Sequence, residues 1–298
     1  MTAPMLDVSG VHPALVTPWK HGVVDVDALR ALVERMIEGG VSGLIPCGTT
    51  GESVTLDDEE HGLVVRTVVE QAAGRVPVLA GAGTVSTKHS IHLAQQAKGA
   101  GADGLMLVCP YYNKPTQAGL DAHFRAIVDA VPLPFIIYNI PGRTGVDLTV
   151  DTLAGLGDVP ELVGIKEATG NVMRSQEILA RCGDRFAVLA GDDANILPIL
   201  AVGGVGVVSV TANAFPAQVC DVVAKWSAGD LAGARAAHLR LLPVHQAMFI
   251  ETNPGPIKGL LARQGLVESS VRPPLAWPED AVIDRLVAVC RAAGLEVA

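Results

Sequence analysis

Leu162-Val-Gly-Ile-Lys-Glu-Ala168 is a short apolar run carrying one lysine, Lys166, in its interior. The run has strand length and lacks the in-out alternation of a half-exposed strand. It reads as a strand buried on both faces, the kind found in parallel sheets. A lysine there loses hydration, and desolvation disfavours its ammonium form. A neutral amine attacks carbonyls and forms a Schiff base. The competing reading is a lysine that snorkels to water or pairs with a carboxylate, and Glu167 is adjacent. This segment alone leaves both open.

Working outward, similar apolar runs occupy residues 13–17, 43–47, 76–80, 104–109, 134–139, 187–191 and 205–210. With 162–167 they make eight predicted strands. Helical segments follow them at 25–40, 57–74, 86–101, 116–131, 150–156, 172–182, 194–202 and 216–228. The spacing approaches the ~30 residues of a βα unit. Gly39-Gly40, Gly74 and Gly101 are helix stops, and Asp57 with Glu60 forms a capping box. The predicted fold class is α/β, a (β/α)8 TIM barrel. An open doubly wound sheet would prefer fewer units and a Gly-rich phosphate turn after the first strand, where this chain has Thr17-Pro18-Trp19. Further helices are expected at 230–246, 256–264 and 279–293, interrupted by Pro273-Pro274. The predicted organisation is a barrel over 1–228 and a C-terminal helical extension over 229–298 packed on it.

The chain of 298 residues is 49% hydrophobic and 18% charged, enough for a large core. A net charge of −9 argues against nucleic-acid or anionic-membrane partners, and 4% aromatics leave few stacking platforms for bases. Five cysteines without a Cys-x-x-Cys argue against a disulfide framework or a thiolate zinc site. Cys47 and Cys109 read as small core residues. Residues 1–10 lack a basic stretch followed by an apolar one, and no uncharged run reaches membrane-span length. A soluble cytoplasmic protein is expected.

Barrel chemistry sits at the carboxyl ends of strands. There the chain places Gly48-Thr49-Thr50-Gly51-Glu52, Tyr111-Tyr112-Asn113, Tyr138-Asn139-Ile140-Pro141-Gly142-Arg143, Lys166 and Gly191-Asp192-Asp193. Taken singly, each has a plain reading. The Gly-Thr-Thr-Gly run is a turn, the tyrosines are core or interface residues, and Arg143 makes a surface ion pair. Asp192 and Asp193 serve a loop or cap a helix, and His89 and His92 are solvated on an outer helix. Taken together, one lysine, two tyrosines, two threonines and an arginine are expected to converge on one face. No metal cluster or phosphate loop accompanies them, so a small oxo-acid is the expected substrate and neither metal nor organic cofactor is expected.

These motifs resemble the dihydrodipicolinate synthase/N-acetylneuraminate lyase family of class I aldolases over nearly the whole chain. Gly48-Thr-Thr-Gly-Glu-Ser53, Tyr138-Asn-Ile-Pro-Gly-Arg-Thr-Gly145 and Gly164-Ile-Lys-Glu-Ala-Thr-Gly-Asn171 carry the resemblance. Gly191-Asp-Asp193, Gly206-Val-Val-Ser-Val210 and Asn253-Pro-Gly-Pro-Ile-Lys258 extend it. Arg143 sets the chain with the synthase branch, which condenses pyruvate with L-aspartate 4-semialdehyde on the diaminopimelate route to lysine. The resemblance implies a Schiff base on Lys166 and a proton relay of Tyr138, Thr49 and Tyr112. Tyr112 would reach across a dimer interface. It implies pyruvate-carboxylate binding by Thr50, a semialdehyde contact by Arg143, and backbone contacts at Gly191 and Val208. It also implies a homotetramer built as a dimer of tight dimers. Branches acting on keto-deoxy sugar acids or hydroxy-oxoglutarate are the alternative. A non-catalytic small-molecule-binding barrel is the alternative of another class. In lysine-inhibited members the effector site matches Ser53, Val54, Asp58, His61, Val85, His89 and Tyr111 here. Val85 and His89 replace an expected asparagine and glutamate, so weak or no inhibition by lysine is expected.

Overall fold

The computed structural model describes residues 6–297. Residues 1–5 of the amino-terminal reading, and the last residue of the predicted extension, lie outside that range.

In chain order the first half comprises β1 (Gly10–Pro13), β2 (Trp19–Lys20), β3 (Val23–Val24), α1 (Val26–Glu38), α2 (Asp58–Ala72), β4 (Leu79–Gly81), α3 (Thr87–Gly99), β5 (Gly104–Val108) and α4 (Gln117–Ala130). The second half has β6 (Phe135–Asn139), α5 (Pro141–Thr144), α6 (Val150–Gly155), β7 (Leu162–Glu167), α7 (Val172–Cys182), β8 (Ala187–Ala190), α8 (Ile196–Ala201), β9 (Gly206–Ser209), α9 (Pro216–Ser227), α10 (Leu231–Ala247), α11 (Gly255–Arg263) and α12 (Asp280–Ala292).

Seven strands form one curled parallel sheet in the order β1-β9-β8-β7-β6-β5-β4. Single parallel bridges, Ala14 to Ile45 and Leu44 to Val78, join its two edge strands. The predicted strand at 43–47 is therefore reduced to bridges. Pro46 has no N–H to donate, and Cys47 turns away at φ 56°. The predicted strand at 13–17 moves forward to Gly10–Pro13, where it ladders with β9, and 76–80 moves to Leu79–Gly81. Pro13 and Pro77 lie where those runs were expected to pair. Sequence reading also missed the β2–β3 hairpin, whose turn residues His21 and Gly22 both have positive φ.

Helix boundaries follow local chemistry more closely. The Asp57/Glu60 capping box forms with both of its hydrogen bonds. Asp25, Ser86, Thr116, Thr149 and Asn171 cap α1, α3, α4, α6 and α7 with their side chains.

The core has two layers. Leu, Ile and Val from the helices pack on the outer face of the sheet, and residues of α10, α11 and α12 belong to the same cluster. A smaller cluster lines the inner face, including Ala14, Ile45, Leu79, Met106, Ile136, Tyr138, Leu189 and Val208. Where β9 meets β1, backbones approach so closely that a Cβ on Gly206 would lie 2.0 Å from the carbonyl oxygen of Gly10. Gly206→Ala should therefore cost roughly 3 kcal/mol or more, read as a lower chemical-denaturation midpoint. By contrast Gly99, the last residue of α3, faces open space. Gly99→Ala should stabilise by roughly 0.5–1 kcal/mol.

Candidate active site

Lys166 stands on β7 in register with Tyr138 on β6 and Leu189 on β8. Between Phe135 and Ile136 the register slips. Phe135 pairs with Leu162 and Ile136 with Gly164, leaving Val163 as an extra residue. Beyond the slip, Lys166 shares the inner face with Tyr138, and its Nζ lies 3.9 Å from the centre of the Tyr138 ring. Glu167 takes the opposite face. Its carboxylate accepts from Arg174 Nε (2.9 Å), the Thr169 amide (2.8 Å) and Asn139 Nδ2 (3.4 Å). The carboxylate next to the lysine in sequence is thus not its partner.

Lys166 is 5% exposed and makes no ion pair among the described residues. Burial pushes its ammonium down from the usual lysine range to about 7. The charge of Asp193 opposes that fall and the charge of Arg143 adds to it. Tyr138 is displaced the other way. Burial raises its phenol to about 12, against the pull of Arg143 and the Thr49 hydroxyl, so it stays protonated at neutral pH.

A cavity of about 200 Å³ opens beside these groups, lined by Thr49, Tyr138, Arg143, Thr144, Tyr111 and Val108 among others. Lys166, over the Tyr138 ring, does not itself line this cavity. Thr49 comes from the turn after the Leu44–Ile45 bridges, closed by Gly51 N to Gly48 O (3.0 Å) and Glu52 N to Thr49 O (3.1 Å). Thr50, buried next to it, accepts from Asn253 Nδ2 at 3.0 Å. Arg143 lies on the short helix α5, begun by Pro141, and its Nη2 donates to the Asn253 carbonyl at 3.4 Å. Val208 is buried on β9 opposite His12, and Gly191 donates its amide to the Glu167 carbonyl at 2.8 Å.

Tyr112 lies apart from the other site residues within this single chain. It is 91% exposed, with φ 68°, in a turn that presents Tyr111 to the cavity instead. One expectation, that for Asp193, needs correction. Asp192 takes the capping role expected of it, whereas Asp193 does more than serve a loop. Asp192 caps the turn at Ala194 N (3.1 Å). Asp193 is buried and accepts from Val210 N (2.8 Å), Thr211 N (3.3 Å) and Ser209 Oγ. Its negative charge is what supports the Lys166 ammonium. For Asp193 the available signal was an acidic residue close after an all-apolar strand. Asn253, which touches both Thr50 and Arg143, had no role assigned from the sequence. His89 and His92 are exposed as expected, yet both lie on the Asp58 carboxylate, at 2.9 and 3.2 Å.

A dehydrated amine at the carboxyl end of a parallel α/β sheet, beside a protonated phenol and a threonine, is the equipment of an imine-forming enzyme. The chain belongs to the dihydrodipicolinate synthetase family, whose model matches residues 7–293. The resemblance read from the motifs is borne out. A 4-hydroxy-tetrahydrodipicolinate synthase of Nitratidesulfovibrio vulgaris (strain DP4) is 51% identical over 97% of this chain and 100% of its own length. That of Geobacter sp. (strain M21) is 51% identical over 93% of this chain and 96% of its own. The crystal structure of dihydrodipicolinate synthase from Aquifex aeolicus superposes with a TM-score of 0.94 at 42% identity, covering 97% of this chain and 99% of that one.

The lysine is a nucleophile only when neutral. Imine formation with an oxo-acid should therefore rise about tenfold per pH unit below pH 7 and level off above it. Rapid-mixing rates across pH check this. In Asp193→Asn the ammonium loses its supporting charge, so the midpoint should move lower.

Proposed function

We propose that the chain is a lyase that condenses pyruvate with L-aspartate 4-semialdehyde, giving 4-hydroxy-tetrahydrodipicolinate and water. Family membership and the relatives' names support this reading, but the observation that carries it is the unpaired, buried amine of Lys166 against Tyr138. Lys166 adds to the pyruvate carbonyl, water leaves and an imine forms. The methyl group loses a proton to give an enamine, whose carbon attacks the aldehyde. The new alkoxide takes a proton, and the product amine displaces Lys166 by closing the ring.

Tyr138 and Thr49 serve as the relay, because a protonated phenol beside a hydroxyl can give and recover a proton without ionising. Thr50 holds the pyruvate carboxylate, Arg143 at the rim holds that of the semialdehyde, and the backbones at Gly191 and Val208 border the substrates. Tyr112 completes the relay in a neighbouring copy, a role consistent with its exposure. We further propose a (β/α)8 barrel over 1–228, its eighth position supplied by the Leu44–Ile45 bridges, with 229–298 as a helical extension. A cytoplasmic homotetramer of two tight dimers completes the reading. Among the described residues, no helix is long and apolar enough to cross a membrane.

Pyruvate with borohydride should leave a stable adduct on Lys166, detected by peptide mass spectrometry, and Lys166→Ala should abolish it. No adduct, or one retained in the variant, overturns the assignment. Arg143→Ala should raise KM for the semialdehyde by about tenfold or more, with a smaller change for pyruvate. L-Lysine should inhibit weakly or not at all, because the carboxylate nearest position 89, Asp58, is occupied by two imidazoles. A steady-state assay with added lysine checks this.

A further inference from the structure

A second lysine, Lys258 on α11, is fully buried. Its ammonium donates to Glu52 Oε1 (2.7 Å) and to the Thr17 carbonyl (2.9 Å). The Glu52 side chain is equally buried. Its Oε1 also takes Trp19 Nε1 (2.9 Å), and its Oε2 takes the Arg272 amide (2.7 Å). Arg272 covers the Trp19 ring at 3.7 Å and forks onto Glu60.

A buried ion pair commonly returns less than its desolvation costs, and a well-packed apolar pair would serve a core as well. Its position indicates what else it does. Glu52 closes the turn that carries Thr49 and Thr50, in a left-handed conformation at φ 55°. Thr17, held by the second Lys258 bond, donates its hydroxyl to the Gly51 carbonyl at 2.7 Å. Lys258 therefore grips the turn twice, directly at Glu52 and through Thr17 at Gly51. From the same C-terminal segment, Asn253 holds the Thr50 hydroxyl.

We propose that Lys258 is a positioning residue for the turn bearing Thr49 and Thr50, acting through Glu52 and Thr17, and that the C-terminal segment is thereby a working part of the site. The proposal rests on the assignment of Lys166 and Thr49 above. Lys258 touches no reacting atom. Its loss would release Thr49 from Tyr138 and loosen Thr50, while leaving Lys166 fixed on β7. Imine formation and the later proton transfers should then separate.

The test uses the full chain with Lys258→Met, Lys258→Arg, Glu52→Gln and Thr17→Val. Competent sites are counted by pyruvate–borohydride labelling of Lys166, and kcat and pyruvate KM are expressed per labelled site. In Lys258→Met, labelling at saturating pyruvate should stay near the unsubstituted level. There, kcat per labelled site should fall and KM should rise, together lowering kcat/KM by about tenfold or more. Lys258→Arg should recover part of the loss. A variant with unchanged kcat and KM per labelled site, and only a lower melting temperature, would overturn the proposal. If Lys258→Met does not fold, Glu52→Gln and Thr17→Val carry the same test, since both nearly keep side-chain shape. Absence of label in the unsubstituted protein would instead overturn the Lys166 assignment.

Discussion

An amine must be kept dehydrated and unpaired inside a parallel sheet, and the surrounding structure follows from that requirement. Moving Lys166 from the ordinary lysine value to about 7 corresponds to about 5 kcal/mol of differential interaction between its two protonation states. Apolar side chains of the inner cluster impose that penalty, and the Tyr138 ring returns a little of it as cation–π attraction to the charged form. The rest of the fold must tolerate a site that works against its own ionisation.

The nearby acids show how this is arranged. Three buried carboxylates lie close in sequence or space to the Thr49–Thr50 turn and to β7, and each has donors of its own. Glu167 is taken by Arg174, Glu52 by Lys258, and Asp193 by the amides and hydroxyl at the end of β9. None is left to pair with Lys166, so burial lowers its pKa to about 7 and much of it is neutral near pH 7. Asp193 acts only through its charge, restraining the fall in pKa so that a fraction of ammonium survives at neutral pH. Two further supports come from distant chain segments. Asn253 links Thr50 to Arg143, and Lys258 bonds Glu52 at the end of the Thr49–Thr50 turn. The groups that would hold two different carboxylates are thereby tied to one segment near the C-terminus.

Much of this was legible in the linear chain, for identifiable reasons. Side-chain caps act within a few residues, so the Asp57/Glu60 box could be read directly, and the predicted helices at 86–101 and 116–131 begin on residues that cap them. The strongest strands, Leu162–Glu167 and Gly104–Val108, are continuous apolar runs and were read almost to the residue. Strands 13–17, 43–47 and 76–80 were misplaced because pairing depends on which N–H meets which carbonyl, and prolines remove donors from all three. The role of Asp193 was missed because its donors and the lysine it influences lie on other strands. The exposure of Tyr112 depended on backbone conformation in a turn, which residue type does not specify.

By itself, the sequence determined that a lysine sits in a buried parallel strand, that polar residues collect at the strand ends, and that the motifs match one family. Which way that lysine points was a tertiary decision. In a run apolar on both faces, Lys166 and Glu167 are equivalent candidates for the inner position. The register slip between β6 and β7 inserts Val163 and changes the facing of everything after it. A one-residue shift reverses every side chain in a strand of period two. That slip places the amine against Tyr138 and the carboxylate against Arg174. It is set by pairing with a neighbouring strand and cannot be read within the strand itself.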